Sequence, residues 1–127
     1  MFETGTAVGV RATHVMPGVE GPEGEPHEHD YRIEVVVRRA DLDDRGMVID
    51  LDVLDAAMRD VAGQVDGQDL EDIRPPEAEA VTVEVFARWA HDQLEPTARQ
   101  AGADELGVRV WESADAFGGY RAAISSA

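Results

Sequence analysis

Two stretches near the start of the chain alternate apolar and polar residues, a pattern that favours β-strands. Every second residue from Val8 to His14 points to one face of an extended chain, and the alternation predicts strands over residues 5–15 and 30–40. Each strand face ends in histidine. The residues that share one face of the second strand are His27, His29, Tyr31, Ile33, Val35 and Val37.

A second periodicity follows, with apolar residues three and four positions apart. Asp50 can cap a helix that carries this pattern to Val65, and Gly67 breaks it. Thr82 can cap a second helix, which we expect Pro96 to kink or end.

The closing part of the chain returns to alternation, which predicts two strands over residues 107–113 and 118–125. The predicted order is therefore ββααββ. This order is typical of an α+β fold in which two helices pack on one face of an antiparallel sheet. Because the chain has 127 residues, we expect one domain over residues 1–127 with a single core.

Composition narrows the classes of protein to which the chain can belong. We find no apolar run long enough to cross a membrane and no signal-peptide pattern, so we expect a soluble cytoplasmic protein. Cysteine is absent, which excludes disulfides, thiolate metal ligands and a cysteine nucleophile. The net charge is −16 and all 11 basic residues are arginine, so the surface repels nucleic acid and acidic membranes. The acidic residues are spread along the chain, which favours a compositional bias over a site for a cationic partner.

Three histidines, His14, His27 and His29, form the strongest candidate site. If the first two strands pair as a hairpin, the three imidazoles can converge at its open end. Three neutral nitrogen ligands with a fourth position open to water or substrate are the usual arrangement of a catalytic zinc. The His-x-His pair is also compatible with two partly buried polar histidines, and three histidines suit other divalent ions as well.

Several motifs occur in an order that resembles the 6-pyruvoyl-tetrahydropterin synthase family, which includes the 6-carboxytetrahydropterin synthases. The histidines come first, followed by Tyr31 and an apolar strand. Residues 65–70 stand where the family has Leu-Asp-His, residues 81–84 where it has Pro-Thr-x-Glu, and residues 108–113 where it has Val-x-Val-x-Glu-Thr. The resemblance implies the tunnelling fold (T-fold), whose ββααββ units join edge to edge into a barrel, and a homohexamer built from two trimers.

The resemblance also implies how a pterin substrate is held. The family residue that matches Glu112 binds the 2-amino and N3 hydrogens of the pterin ring, a two-point charge-assisted contact. On the predicted strand Glu112 shares a face with Val108 and Val110; the alternative is an exposed glutamate at a strand end. Thr82 matches a family threonine near the pterin, although a helix cap explains this residue equally well.

The catalytic residues are where the sequence departs from the family. The family cysteine lies four residues before the first histidine of the pair, and Glu23 holds that position here. Asp66 keeps the aspartate of the Leu-Asp-His motif, but Gly67 replaces its histidine. The two changes can be linked. A thiol with a pKa of about 8.5 needs an activating base, whereas a carboxylate with a pKa of about 4.3 is already ionised.

Other residues can fill the same roles. Glu25 and Glu20 lie in the same loop as Glu23 and are alternatives for the catalytic carboxylate. His91 is a candidate for the missing histidine, although its place in the middle of a helix predicts a surface residue.

A third class of pyruvoyl-tetrahydropterin synthase carries glutamate in place of the cysteine. Its members cleave the side chain of 7,8-dihydroneopterin triphosphate to 6-hydroxymethyl-7,8-dihydropterin. The resemblance therefore implies a zinc-dependent pterin lyase with this reaction. The alternatives are a 6-carboxytetrahydropterin synthase and a non-catalytic protein that binds metal and pterin.

Overall fold

The computed structural model consists of one antiparallel sheet of four strands with two helices against one face. It describes residues 1–125, apart from the side chain of Glu23. The elements are β1 (Phe2–His14), β2 (His27–Arg39), α1 (Leu51–Val65), α2 (Val83–Gln100), β3 (Glu105–Trp111) and β4 (Phe117–Ala123), with short 3-10 helices at Pro22–Gly24 and Leu70–Ile73. The strands lie in the order β1-β2-β3-β4 across the sheet. The predicted ββααββ order and α+β class are confirmed.

β1 and β2 form a long antiparallel hairpin, in which Phe2 pairs with Arg39 and His14 pairs with His27. Because side chains alternate along a strand, one face of β2 enters the core and the other stays on the helix-free side of the sheet. The apolar residues on the inner face are at most 3% exposed, and they are Tyr31, Ile33, Val35 and Val37. The predicted histidine face is thus the face that continues the core.

Side-chain caps start both helices, as predicted. The Asp50 carboxylate accepts a hydrogen bond from the backbone N–H of Asp52 at 2.8 Å, and Thr82 Oγ1 accepts one from the N–H of Val85 at 3.1 Å. Among the described residues, no helix is both long and apolar enough to cross a membrane. The large helical side chains that pack against the sheet are Leu54, Met58, Val61, Phe86 and Leu94.

Pro96 does not end α2, contrary to one alternative of the sequence prediction. The helix continues to Gln100, and Pro96 is exposed, so the missing backbone donor lies on the solvent side. Beyond the proline, Ala98 is 1% exposed in the core and Arg39 donates a 2.9 Å hydrogen bond to the carbonyl of Ala101. Packing on the inner side therefore keeps the last turn in place.

Glu112 follows directly on the strand that carries Val108 and Val110, and its backbone N–H donates a 3.1 Å hydrogen bond to the carbonyl of Ala116. β3 ends at Trp111, and Glu112 is an exposed residue at the start of the turn to β4. Ser113 starts this turn, because its Oγ accepts hydrogen bonds from the N–H groups of residues 115 and 116 at 3.3 and 3.1 Å.

Candidate active site

The three histidines meet at the open end of the β1–β2 hairpin. His14 is the last residue of β1 and pairs with His27, the first residue of β2, while His29 follows on the same face. The ring centroids lie 5.5 Å apart for His14 and His27, 6.5 Å for His14 and His29, and 4.5 Å for His27 and His29. Each ring offers a nitrogen within 4.8 Å of the other two. The structure therefore brings together all three residues predicted to bind metal.

Contacts around two of the rings leave a nitrogen available to a metal ion. His27 Nδ1 lies 2.8 Å from the carbonyl oxygen of Glu25, a geometry in which Nδ1 donates and Nε2 stays free to accept. His14 Nε2 is buried and has no hydrogen-bond partner among the described residues. A buried polar nitrogen without a partner is costly, and coordination to a metal satisfies it. This donor set fits zinc and also suits other divalent ions.

The electrostatic surroundings of His14 favour its neutral form. Burial lowers the pKa of His14, and the adjacent rings of His27 and His29 lower it further because they repel a second positive charge. A hydrogen bond to the backbone of Val81 and the charge of Glu112 act in the opposite direction. Neutral imidazole is the form that binds a metal ion.

A cavity of about 240 Å³ opens beside the histidines. Thr82 and Glu84 line it from the start of α2, and Glu112 lines it from the turn after β3. Burial and the charge of Glu112 raise the pKa of Tyr31, another lining residue, to about 12, so its hydroxyl stays protonated. The cavity thus combines the three histidines with two carboxylates and two hydroxyls. Its apolar lining residues are Met16, Leu70, Val81, Val83 and Phe86.

Glu84 is a cavity residue to which the sequence analysis gave no role. A Cβ atom at Gly118 of β4 would lie 2.5 Å from Val83 Cγ2, 2.6 Å from Glu84 Oε1 and 3.0 Å from the backbone nitrogen of Glu84, so the first turn of α2 lies close to β4 at this glycine. The signal in the sequence was the Thr-x-Glu spacing, which places Thr82 and Glu84 together at the start of one helix.

Asp66, a predicted catalytic residue, does not line the cavity of this chain. Its carboxylate accepts a 2.9 Å hydrogen bond from the backbone N–H of Arg11, and Gly67 donates a 2.7 Å bond to the carbonyl of Arg11. Thr13 donates a further 2.9 Å bond to the carbonyl of Gln68. The segment that resembles Leu-Asp-His is therefore hydrogen-bonded along the outer edge of β1.

The glutamates of the loop between β1 and β2 come just before His27 and His29 in the chain. The backbone of Glu23 is in the short 3-10 helix Pro22–Gly24, and its side chain is outside the described part of the structure. Glu20 and Glu25 are exposed. A Cβ at Gly24 would lie 1.8 Å from the carbonyl oxygen of Val19, so glycine is required for the loop to close on itself. This requirement fixes the backbone next to Glu23. The sequence pattern does not predict the requirement.

The prediction that His91 is a surface residue is wrong. His91 is 3% exposed, its ring packs edge-on against Tyr120 with centroids 4.7 Å apart, and its Nδ1 lies 3.0 Å from Asp92 Oδ1. α2 packs against both β3 and β4, so its buried stripe is wider than the apolar residues alone indicate. His91 does not line the cavity and therefore does not replace the missing family histidine there.

His91 also belongs to a second group of potential ligand atoms, which Asp92 and Glu95 complete within 4.8 Å. Arg88 lies 3.6 Å from Asp92, and Arg99 forms an ion pair with Glu95. Both carboxylates thus have cationic partners in the protein. The group is explained as a set of ion pairs along α2.

A sequence model of one protein family matches nearly the whole chain. It describes 6-pyruvoyl tetrahydropterin synthase and matches residues 7–123. Among curated proteins, none matches the sequence significantly.

Solved structures of 6-pyruvoyl tetrahydropterin synthases have the same fold. The Plasmodium vivax enzyme is 15% identical, with a TM-score of 0.72 over 98% of this chain and 100% of that chain. The Caenorhabditis elegans enzyme is 18% identical, with a TM-score of 0.74 over 95% of each chain. A P. vivax variant, in which a glutamate described as a catalytic residue is replaced by alanine, is 17% identical with a TM-score of 0.71 over 98% and 100%. The predicted T-fold is confirmed.

Proposed function

Because the chain belongs to the 6-pyruvoyl tetrahydropterin synthase family, we propose that it is a zinc-dependent pterin lyase. The proposed reaction cleaves the side chain of a 7,8-dihydroneopterin, for which the resemblance implies the triphosphate, to 6-hydroxymethyl-7,8-dihydropterin. One observation carries this proposal. Three histidines, one of them with an unpartnered buried nitrogen, face the carboxylate of Glu112 across a single cavity.

In this proposal His14, His27 and His29 hold the ion. When bound, zinc lowers the pKa of the side-chain hydroxyls of the substrate. Glu112 accepts hydrogen bonds from the 2-amino group and N3 of the pterin ring. Thr82 lines the same cavity, but its Oγ1 also caps α2, so its contribution to binding is the weaker part of the assignment.

Side-chain cleavage is a retro-aldol reaction, and it requires a carboxylate that can hold a proton. The 2′-hydroxyl gives up its proton, the C1′–C2′ bond breaks, C2′ becomes an aldehyde and C1′ takes up a proton. We assign this proton transfer to Glu23, which comes four residues before His27 in the loop that leads to the histidines. The catalytic glutamate of the P. vivax enzyme supports a carboxylate in this role.

The proposed catalytic role of Asp66 depends on how copies of the chain assemble. Within one chain its carboxylate binds the backbone of Arg11 at the edge of β1. A catalytic role therefore requires that a second copy of the chain bring this edge to the cavity.

Two alternatives remain open to test. A 6-carboxytetrahydropterin synthase would share the metal and ring sites, but Glu23 and Gly67 stand where that reaction uses cysteine and histidine. A non-catalytic metal- and pterin-binding protein would need only the three histidines and Glu112. Incubation of the zinc-loaded protein with 7,8-dihydroneopterin triphosphate, followed by chromatography of the products, separates the three. The cytoplasmic location stays a prediction.

We expect the purified protein to contain about one zinc ion per chain, and we expect His27→Ala to lose it, because two imidazoles leave an incomplete donor set. Elemental analysis measures the content. Glu28→Ala is the matched control, since Glu28 lies between two of the ligands but its side chain is exposed and paired with Arg11. Equal zinc in the parent protein and in His27→Ala would end the metal assignment.

We expect Glu112→Ala to weaken binding of a pterin such as sepiapterin by more than about tenfold, because loss of one partner of a charged contact typically costs about 2–5 kcal/mol. Zinc content should not change, since Glu112 is not among the clustered ligand residues. Asp115→Ala, an exposed change in the same turn, serves as the control in calorimetric titrations. Unchanged affinity in Glu112→Ala would refute the ring-binding role.

We expect Glu23→Gln to lower turnover by about 10²–10⁴ while zinc and ring binding persist, because a positioned base typically contributes that much. Steady-state product formation measures the loss, with Glu25→Gln as the control in the same loop. Loss of activity in Glu25→Gln alone would move the role to that residue. If neither change matters and the parent protein shows no turnover, the binding protein is the correct alternative.

We propose a homohexamer, because β1 and β4 form the two edges of the sheet and such edges pair with strands of other copies. Multi-angle light scattering at micromolar concentration should give a mass near six times the 13.8 kDa of one chain. A monomer at both low and high salt would contradict the assembly.

A further inference from the structure

Tyr31 lies between the two parts of the candidate site. Its ring packs edge-on against the ring of His29, with centroids 5.7 Å apart, and against the ring of Phe86, with centroids 5.5 Å apart. Tyr31 lines the cavity of the histidines, and together with Glu112 it also lines a neighbouring cavity of about 440 Å³. The side chain thus contacts one metal-binding candidate and shares both cavities with the carboxylate to which we assign ring binding.

The position of this ring is set by contacts within one chain. Tyr31 is 3% exposed and continues the buried face of β2, where it lies opposite Val10 of β1. Phe86 of α2 packs on the ring from the helix layer. Because these contacts come from the hairpin and a helix of the same chain, the place of the ring does not depend on how copies assemble.

The hydroxyl is the polar group that this side chain can present to a ligand. The body of the ring lies against His29 and Phe86, and a phenolic hydroxyl has one hydrogen to donate. A donor in this position becomes useful when the substrate gains negative charge on an atom near it.

Cleavage of the side chain places negative charge on the pterin ring. In a 7,8-dihydropterin, C6 carries C1′ and is doubly bonded to N5. When the C1′–C2′ bond breaks, its electron pair forms a C1′=C6 bond, and the second pair of the C6=N5 bond moves onto N5. Glu23 takes the proton of the 2′-hydroxyl and C2′ becomes an aldehyde; C1′ then takes up a proton while the C6=N5 bond is restored. A hydrogen-bond donor at N5 therefore stabilises the state between the two steps.

The place of N5 in the substrate matches the place of Tyr31 in the site. In the proposed binding mode Glu112 holds N3 and the 2-amino group, and the histidines lie beside the side chain on C6. N5 is on the edge of the ring that leads from N3 to C6. Tyr31 lies between the same two parts of the site, since it contacts His29 and lines the cavity with Glu112.

We propose that Tyr31 is a further catalytic residue, whose hydroxyl donates a hydrogen bond to N5 of the dihydropterin ring. This bond strengthens in the transition state as negative charge develops on N5. The hydroxyl keeps its own proton throughout, so the proton balance of the reaction is unchanged. The inference rests on the proposed lyase function and adds to it the group that stabilises the ring.

The test removes the hydroxyl of Tyr31 and keeps the packed ring. With the zinc-loaded, fully assembled protein and 7,8-dihydroneopterin triphosphate, we expect Tyr31→Phe to lower kcat by about 10²-fold, because loss of one donor to a developing charge typically costs about 10²–10³ in kcat. KM should stay nearly unchanged, since the bond is made mainly in the transition state. Zinc content and affinity for sepiapterin should be nearly those of the parent protein.

Tyr120→Phe is the matched control. Tyr120 is the second of the two tyrosines of the chain, and it does not line the cavity of the histidines. Removal of its hydroxyl should leave kcat unchanged.

A second measurement isolates the ring from the breaking of the C–C bond. The enzyme should exchange a C1′ hydrogen of 6-hydroxymethyl-7,8-dihydropterin with heavy water, because removal of that proton places the same negative charge on N5. NMR spectroscopy should show exchange that is about 10²-fold slower in Tyr31→Phe and unchanged in Tyr120→Phe.

Equal turnover or equal exchange in the parent protein and in Tyr31→Phe would overturn the proposal and leave the lyase function standing. Loss of zinc or of sepiapterin binding in Tyr31→Phe would also overturn it, because the residue would then act through the structure of the site. If the parent protein does not cleave the triphosphate, the lyase function fails and the role of Tyr31 fails with it.

Discussion

The pairing register of β1 and β2 is the constraint on which both the core and the candidate site depend. In this register His14 lies opposite His27, and Val10 lies opposite Tyr31. Side chains alternate along a strand, so a slip of one residue would turn both sets to the helix-free face. Burial of each large apolar side chain on β2 contributes about 1.5–3 kcal/mol, and this energy also holds the imidazoles on the inner face. The hydrophobic core thus enforces the geometry of a polar site.

Much of the fold could be predicted from the sequence because it follows from local rules. Alternation gave the strands, and the caps at Asp50 and Thr82 gave the helix starts. The errors arose where tertiary contacts decide. Packing of Ala98 carries α2 past Pro96, and the packing of α2 against β3 and β4 buries His91. These contacts join residues that no local pattern connects.

Some residues of the candidate site could likewise be predicted from the sequence, and others could not. The three histidines followed from alternation, because they continue an apolar face that had to be buried. Glu84 did not follow, since a place in the first turn of a helix does not by itself show that a residue lines the same cavity as the histidines. Nor did the backbone contact of Asp66 with Arg11, which comes from the docking of the segment after α1 on the edge of β1. A sequence motif identifies a residue type at a position, but only the packing of distant segments decides what that residue touches.

The separation of the site into two stretches of chain has an evolutionary consequence. All three metal-binding candidates lie between residues 14 and 29, whereas the carboxylates Glu84 and Glu112 come from the second half of the chain. The proposed acid–base residue, Glu23, has yet another location, in the loop that Gly24 closes. Because this loop lies outside the sheet, its residues can be exchanged without repacking the core or disturbing the histidines. The fold therefore lets the proposed chemistry diversify by substitutions in one surface loop, while the sheet keeps the histidines in place.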